Sequence, residues 1–303
     1  MPAEFGRVIT AMVTPMTPDG EVNLEATRSL AKALVASGTE SIVSTGSTGE
    51  AAALSDEETV AVWQATKEAV GPSVAVIAGA TNNDTRRSIR LAREADRVGL
   101  DGVLLTVPAY SKPPQAGLLA HFTTIAAATS LPCLLYNIPG RSAVNMTAAT
   151  TLRLAEVDNI VGIKESSEDF GQIGTIIAGA PEGFRVWSGN DTDTLAVMAM
   201  GGYGVVSVAA HIVGRQIAAQ VYAAAEGRIA DAAALHHRLM PLIKVLFAES
   251  NPIPVKYAVA RAGFDAGPCR LPLIEPSEAA RALIDAEMAR HEIDLRAVVA
   301  ARA

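Results

Sequence analysis

Eight short runs rich in Val, Ile, Leu and Ala recur along the chain, each followed by a longer segment of helical character. They are RVITAMV (7–13), SIVSTG (41–46), VAVIAG (74–79), GVLLTVP (102–108), CLLYNI (133–138), IVGIK (160–164), RVWSG (185–189) and GVVSVAA (204–210). Short, nearly continuous apolar runs read as strands buried on both faces, and strand–helix alternation implies parallel pairing through helical crossovers. Eight such units before residue 228 match the count of an α/β (β/α)8 barrel. A doubly wound sheet is the alternative, but it usually has fewer strands and a phosphate fingerprint after the first. Here the first strand enters the Pro-rich VTPMTPDG, and GGYG at 201–204 is too short and misplaced for a dinucleotide site.

The connecting segments carry helix signals. Ser55 and Glu58 have capping-box spacing, and NLEATRSLAKALVASG places Leu24, Leu30, Ala33 and Leu34 on one face before Gly38 stops it. After residue 227 the strand pattern ends. Residues 231–250, 252–263 and 276–303 read as three helices, which predicts a barrel over 1–227 and a C-terminal helical region over 228–303.

Composition fits this class. Half of the 303 residues are hydrophobic and only 4% aromatic, which suits helix-covered parallel strands better than a β-sandwich. A formal charge of −7 with no basic stripe argues against a nucleic-acid partner. Cys133 and Cys269 show no repeated spacing, so neither a disulfide framework nor a zinc site is expected. No run of about 20 apolar residues and no basic-then-apolar leader occurs, which predicts a cytoplasmic protein without a membrane partner. The triplets NMT and NDT then carry no meaning as glycosylation sites.

In a (β/α)8 barrel the C-terminal strand ends face one mouth, where chemistry is built. Those ends bring hydroxyls in STGSTGE (44–50), Tyr110, Tyr136, Arg141, Lys164 and the polar SGNDTD. Each has a plain structural explanation: the Gly-rich stretch as a tight turn, Tyr110 as a loop aromatic packed on proline, Tyr136 as a core tyrosine, Arg141 as a surface cation. Lys164 is harder to set aside, because lysine is almost never buried without a partner. Glu165 is a poor partner, since adjacent strand residues face opposite ways. Two readings remain for Lys164: an ion pair with a neighbouring strand's carboxylate, or an amine whose pKa is lowered by burial so that it attacks a carbonyl. Other catalytic sets fit badly. The five histidines lack metal-ligand spacing, no Gly-X-Ser-X-Gly elbow occurs, and neither cysteine follows a strand in a reactive setting.

GSTGE (46–50), YNIPGR (136–141), GIKES (162–166), SGND (188–191), GGYGVVSV (201–208) and NPIPVK (251–256) follow in that order. Together they resemble the dihydrodipicolinate synthase family of class I, pyruvate-dependent aldolases, from TAMVTP near the start to RLPL at 270–273. The resemblance implies a barrel with a helical C-terminal part, assembled as a homotetramer of two tight dimers, working on small molecules without a cofactor. It implies that Lys164 forms an imine with pyruvate and that Tyr136 is the general acid/base. Ser47 and Tyr110 would complete a proton relay, with Tyr110 reaching in from the neighbouring subunit. Thr48 and the Ser47 backbone would hold the pyruvate carboxylate, Val206 would line that pocket through its backbone, and Arg141 would receive the carboxylate of L-aspartate 4-semialdehyde.

Relatives that cleave sialic acids or cleave or dehydrate 2-keto-3-deoxy sugar acids keep the lysine and the tyrosine. Arg141 favours the synthase, because a small amino-acid aldehyde needs its carboxylate anchored. A catalytically silent oxo-acid-binding barrel would be free to lose Lys164 or Tyr136, and both are present. Departures from the pattern are Ser47 where threonine is usual and Ala109 where many members have a second tyrosine. Asp56 and Arg87 stand where lysine-inhibited members tend to carry histidine and glutamate, while Asn83 is retained. Weak or absent inhibition by lysine is therefore expected.

Overall fold

The computed structural model describes residues 4–296. All eight expected strands form: β1 Val8–Ala11, β2 Ser41–Ser44, β3 Ala75–Gly79, β4 Gly102–Thr106, β5 Cys133–Asn137, β6 Ile160–Glu165, β7 Arg185–Ser188 and β8 Gly204–Ser207. Each pairs in parallel with the next, and β8 closes onto β1 with Ile9 opposite Val206. The period-2 alternation of strands then sorts the side chains. Ile9, Val43, Ile77, Leu104, Leu134 and Val206 fill the barrel interior. Ile42, Val76, Val103, Leu135 and Ile163 point outward against the helices. Each such side chain contributes about 1.5–3 kcal/mol when fully buried.

Three aromatics plug the barrel at its N-terminal face. Phe5 and Tyr203 pack around Trp187, whose Nε1 donates to the Gly6 carbonyl at 2.9 Å. The Arg7 and Arg185 guanidiniums cover the Tyr203 ring at 4.3 and 4.1 Å from its centroid. Gly162 is needed here because a Cβ would lie 2.6 Å from the Trp187 ring. With this end sealed, the opposite mouth is left for chemistry.

Helix starts follow the local signals. Asn23 caps Leu24–Ala36, and Ser55 with Glu58 forms the expected capping box of Asp56–Val70. The C-terminal part holds helices Ile229–Val245, Ile253–Arg261 and Glu278–Met288. The third is shorter than the sequence suggests, and residues 297–303 lie outside the described residues. After Met288 the chain becomes a cap for another helix. The backbone of Ala210–Ala225 is kinked at Val213, and the Asp294 carboxylate accepts from the freed N–H groups of Arg215 and Gln216 at 3.0 and 3.3 Å. The Asp294 N–H returns a bond to the Ile212 carbonyl at 2.8 Å. Satisfying buried backbone groups at a kink outweighs one more helical turn at the chain end. Among the described residues, no helix is long and apolar enough to cross a membrane.

Candidate active site

Lys164 lies on β6 in register with Tyr136 on β5 and Trp187 on β7. Its side chain points inward and is only 6% exposed. Its Nζ stands 4.0 Å from the centroid of the Tyr136 ring, so the ring face and not a carboxylate receives the amine. Among the described residues no carboxylate forms an ion pair with it within 4.0 Å.

The neighbouring acids are committed elsewhere. Glu165 faces the other side of the sheet, where it accepts from the Asn137 amide at 3.1 and 3.2 Å and from the Ser167 N–H at 2.8 Å. Burial pushes its carboxyl above the usual range although these donors oppose the shift. Asp191, also buried, accepts from the Ser207 hydroxyl and from the N–H groups of Val208 and Ala209 at 2.9 and 3.1 Å. Burial raises its pKa too, while those donors and the nearby Lys164 charge pull it down. Asp191 thus fixes the end of β8, the strand that carries Val206. His211 helps: its Nε2 accepts from the Val13 N–H at 3.1 Å, so its Nδ1 carries the proton donated to the Val208 carbonyl at 2.8 Å.

Close packing around Lys164 depends on Gly189, just past β7. A Cβ there would overlap Ser166 Oγ and press on Lys164 Cγ and Cε at 3.0 and 3.1 Å.

The hydroxyl loop after β2 starts at Thr45, which is buried in the left-handed region at φ 54° and accepts from Trp63 Nε1 at 2.7 Å. The turn sets Ser47 at the mouth and buries Thr48. Thr48 Oγ1 accepts from the Asn251 amide at 2.9 Å, and the Asn251 carbonyl accepts from Arg141 Nη2 at 3.0 Å. Two groups expected to hold carboxylates are therefore connected by one asparagine from the C-terminal part. Next to it, Lys256 forms a buried ion pair with Glu50 at 2.6 Å, and Glu50 also accepts from the Arg270 N–H at 2.8 Å.

A cleft of about 690 Å³ opens here, with Ser47, Asn83, Arg87, Arg141, Asn251 and Arg270 among its walls. Lys164 and Tyr136 are not among those walls; they form the enclosed part of the mouth. Tyr110 is not brought in either. It sits after β4 at φ 68° and is 94% exposed. Val206 is buried in the barrel interior.

Sequence reasoning thus placed Lys164, Tyr136, Ser47, Thr48 and Arg141 around one mouth. It missed Asn251, Glu50 and Lys256 as contacts, and also Gly189, Ser166 and Asp191. The signal was partly present: NPIPVK, GSTGE and SGND stood out as motifs, but which side chains meet depends on the fold.

The arrangement offers a buried amine for a carbonyl, a phenol beside it and a cationic group at the rim. Comparison with known proteins agrees. The profile of the dihydrodipicolinate synthetase family matches residues 4–290. The 4-hydroxy-tetrahydrodipicolinate synthase of Symbiobacterium thermophilum is 53% identical over 275 residues, 90% of this chain and 94% of that one. The dihydrodipicolinate synthase DapA-2 of Bacillus anthracis superposes with a TM-score of 0.93 at 40% identity, covering 96% of this chain and 99% of that one. A DHDPS crystal structure from Cyanidioschyzon merolae with lysine bound gives 0.93 at 41% identity, covering 94% and 97%. The chain belongs to the dihydrodipicolinate synthetase family.

Proposed function

We propose that this protein condenses pyruvate with L-aspartate 4-semialdehyde through a Schiff base on Lys164. The product is 4-hydroxy-2,3,4,5-tetrahydrodipicolinate, in the first committed step towards diaminopimelate and lysine. The observation that carries the reading is the buried Lys164 amine, with no carboxylate partner among the described residues and 4.0 Å from the Tyr136 ring centroid.

The amine of Lys164 adds to the C2 ketone of pyruvate, and water leaves to give the imine. Loss of a methyl proton gives an enamine. Its carbon attacks the aldehyde carbon of the second substrate, a C–C bond forms, and the aldehyde oxygen takes up a proton. The amino group of that substrate then attacks the imine carbon, which closes the ring and releases Lys164. The imine is the electron sink, so the reading calls for no metal or cofactor.

Tyr136 is the group that moves protons at these steps, with Ser47 and Tyr110 as its relay. Thr48 and the Ser47 backbone hold the pyruvate carboxylate, the Val206 backbone lines that pocket, and Arg141 receives the carboxylate of the aldehyde. The exposure of Tyr110 supports a site completed by a second copy, within a homotetramer of two tight dimers. The same reading keeps the barrel at 1–227 and the helical region at 228–303, and places the enzyme in the cytoplasm.

A turnover assay tests this. Purified protein receives both substrates, coupled to the nicotinamide-dependent reductase that consumes the product, with Lys164→Ala as control. Rapid oxidation lost in the variant is expected. A borohydride-reducible pyruvate adduct without turnover would instead move the assignment to a sugar-acid lyase or dehydratase.

A further inference from the structure

Ser166 lies two residues after Lys164 and shares its barrel-facing side, one step nearer the mouth. It is 7% exposed, and its hydroxyl oxygen has no hydrogen-bond partner. Its backbone is fixed, because the Ser166 N–H donates to the Asn137 carbonyl of β5 at 2.9 Å. The hydroxyl shares the space above Gly189 with the Lys164 stem: a Cβ on that glycine would strike Ser166 Oγ, Lys164 Cγ and Lys164 Cε alike.

A buried hydroxyl left unpaired destabilises a fold, and alanine of nearly the same shape would remove the penalty. Its location indicates when a partner arrives. The closest reactive group is Lys164, and anything built on that amine grows towards the mouth past Ser166. The hydroxyl has staggered positions that turn it from Gly189 to such a group.

We propose that Ser166 is a positioning residue for the second substrate, donating a hydrogen bond to the oxygen that begins as the aldehyde carbonyl. This rests on the Schiff-base reading of Lys164. When the enamine carbon forms the new C–C bond, the carbonyl π pair moves onto that oxygen. Ser166 donates a hydrogen bond to it, and the proton it gains comes from Tyr136. The pyruvate half lies deeper and does not use Ser166.

The test compares Ser166→Ala and Ser166→Cys with the wild type. Cysteine is close in shape but a weak donor. Three quantities are read: borohydride trapping of pyruvate on Lys164, the KM of each substrate with kcat, and the thermal midpoint. The expected result is unchanged trapping and pyruvate KM, a thermal midpoint equal or higher, and kcat/KM for the aldehyde lower by about tenfold in both variants, the weight of one hydrogen bond. Unchanged kinetics for both substrates would overturn the proposal while leaving the Schiff base standing. A lowered midpoint with both substrates affected equally would also overturn it, in favour of a packing role. If wild-type protein forms no trapped adduct, the Schiff-base reading fails and this one falls with it.

Discussion

Lys164 and Tyr136 stand opposite each other on adjacent strands, with the amine 4.0 Å from the ring centroid. No carboxylate forms an ion pair with Lys164 among the described residues, and buried Asp191, whose pKa the Lys164 charge helps to lower, keeps its Ser207, Val208 and Ala209 donors when the lysine is removed. Lys164→Ala is expected to lose turnover and adduct trapping while its denaturation midpoint stays near wild type. Tyr136→Phe keeps the ring under the amine and removes only the hydroxyl. Its kcat is expected to fall by about 10²–10⁴, with adduct formation slowed but detectable. Full activity in Tyr136→Phe would exclude the phenol as the proton carrier.

The strands were legible in the sequence because a buried parallel strand leaves a local record, a short apolar run. The mouth was legible because residues that end such runs must share one face. Contacts that close the site were not legible. Asn251 meets Thr48 across 203 positions, and Lys256 meets Glu50 across 206. No periodicity encodes a pairing over that distance. The third C-terminal helix was overextended for a related reason. HEIDL continues a helical composition, but the kink at Val213 needs the Asp294 carboxylate, and that demand comes from another part of the chain.

The Lys256–Glu50 pair is expected to hold the C-terminal part to the hydroxyl loop. Both side chains are almost wholly buried, at 2% and 1% exposure, and Lys256 also donates to the Pro268 carbonyl at 2.7 Å. Removing one member of such a pair leaves an uncompensated buried charge, at a cost of about 3–5 kcal/mol. Lys256→Met should therefore destabilise the protein strongly in denaturant titration. Combining it with Glu50→Gln should recover a large part of the loss. If the double variant is no better than Lys256→Met, the charge of Glu50 is not what the lysine compensates.

His211 predicts a pH dependence of stability. Burial lowers its pKa from 6.5 to about 4. Protonation would place a hydrogen on Nε2, against the Val13 N–H that now donates to it. The native state therefore takes up this proton at lower pH than the unfolded chain does. The stabilisation is fully present above about pH 6.5 and is lost as pH falls towards about 4, amounting to about 3 kcal/mol. His211→Leu should lose stability at neutral pH and show a shallower pH slope in that window than wild type. Equal slopes would mean that His211 titrates alike in both states.

Lysine should inhibit weakly or not at all. Arg87 and Asp56 pair with each other at 2.7 Å along the cleft that also contains Asn83. A lysine side chain entering there brings an ammonium to a guanidinium, and the carboxylate that would attract it is already engaged. Arg87→Glu with Asp56→His removes the cation and should increase sensitivity. Half-inhibition of wild-type enzyme at sub-millimolar lysine would refute this account.

Gly189→Ala isolates steric from conformational demand, because Gly189 is not among the glycines with positive φ and alanine is tolerated by its backbone. The added methyl has nowhere to go: it overlaps the Ser166 hydroxyl and presses on two carbons of the Lys164 stem. The Ser166 hydroxyl can turn aside, but Lys164 Cγ and Cε still lie 3.0 and 3.1 Å from the methyl, so the lysine chain must move as well. A nucleophile displaced by about 1 Å loses on the order of 10²-fold in rate. Gly189→Ala should therefore lose kcat by about that factor and slow pyruvate trapping. The double variant Gly189→Ala with Ser166→Gly removes the overlapping hydroxyl and should regain trapping, though not the aldehyde KM if Ser166 positions that substrate. Failure to regain trapping would place the obstruction at the lysine stem itself.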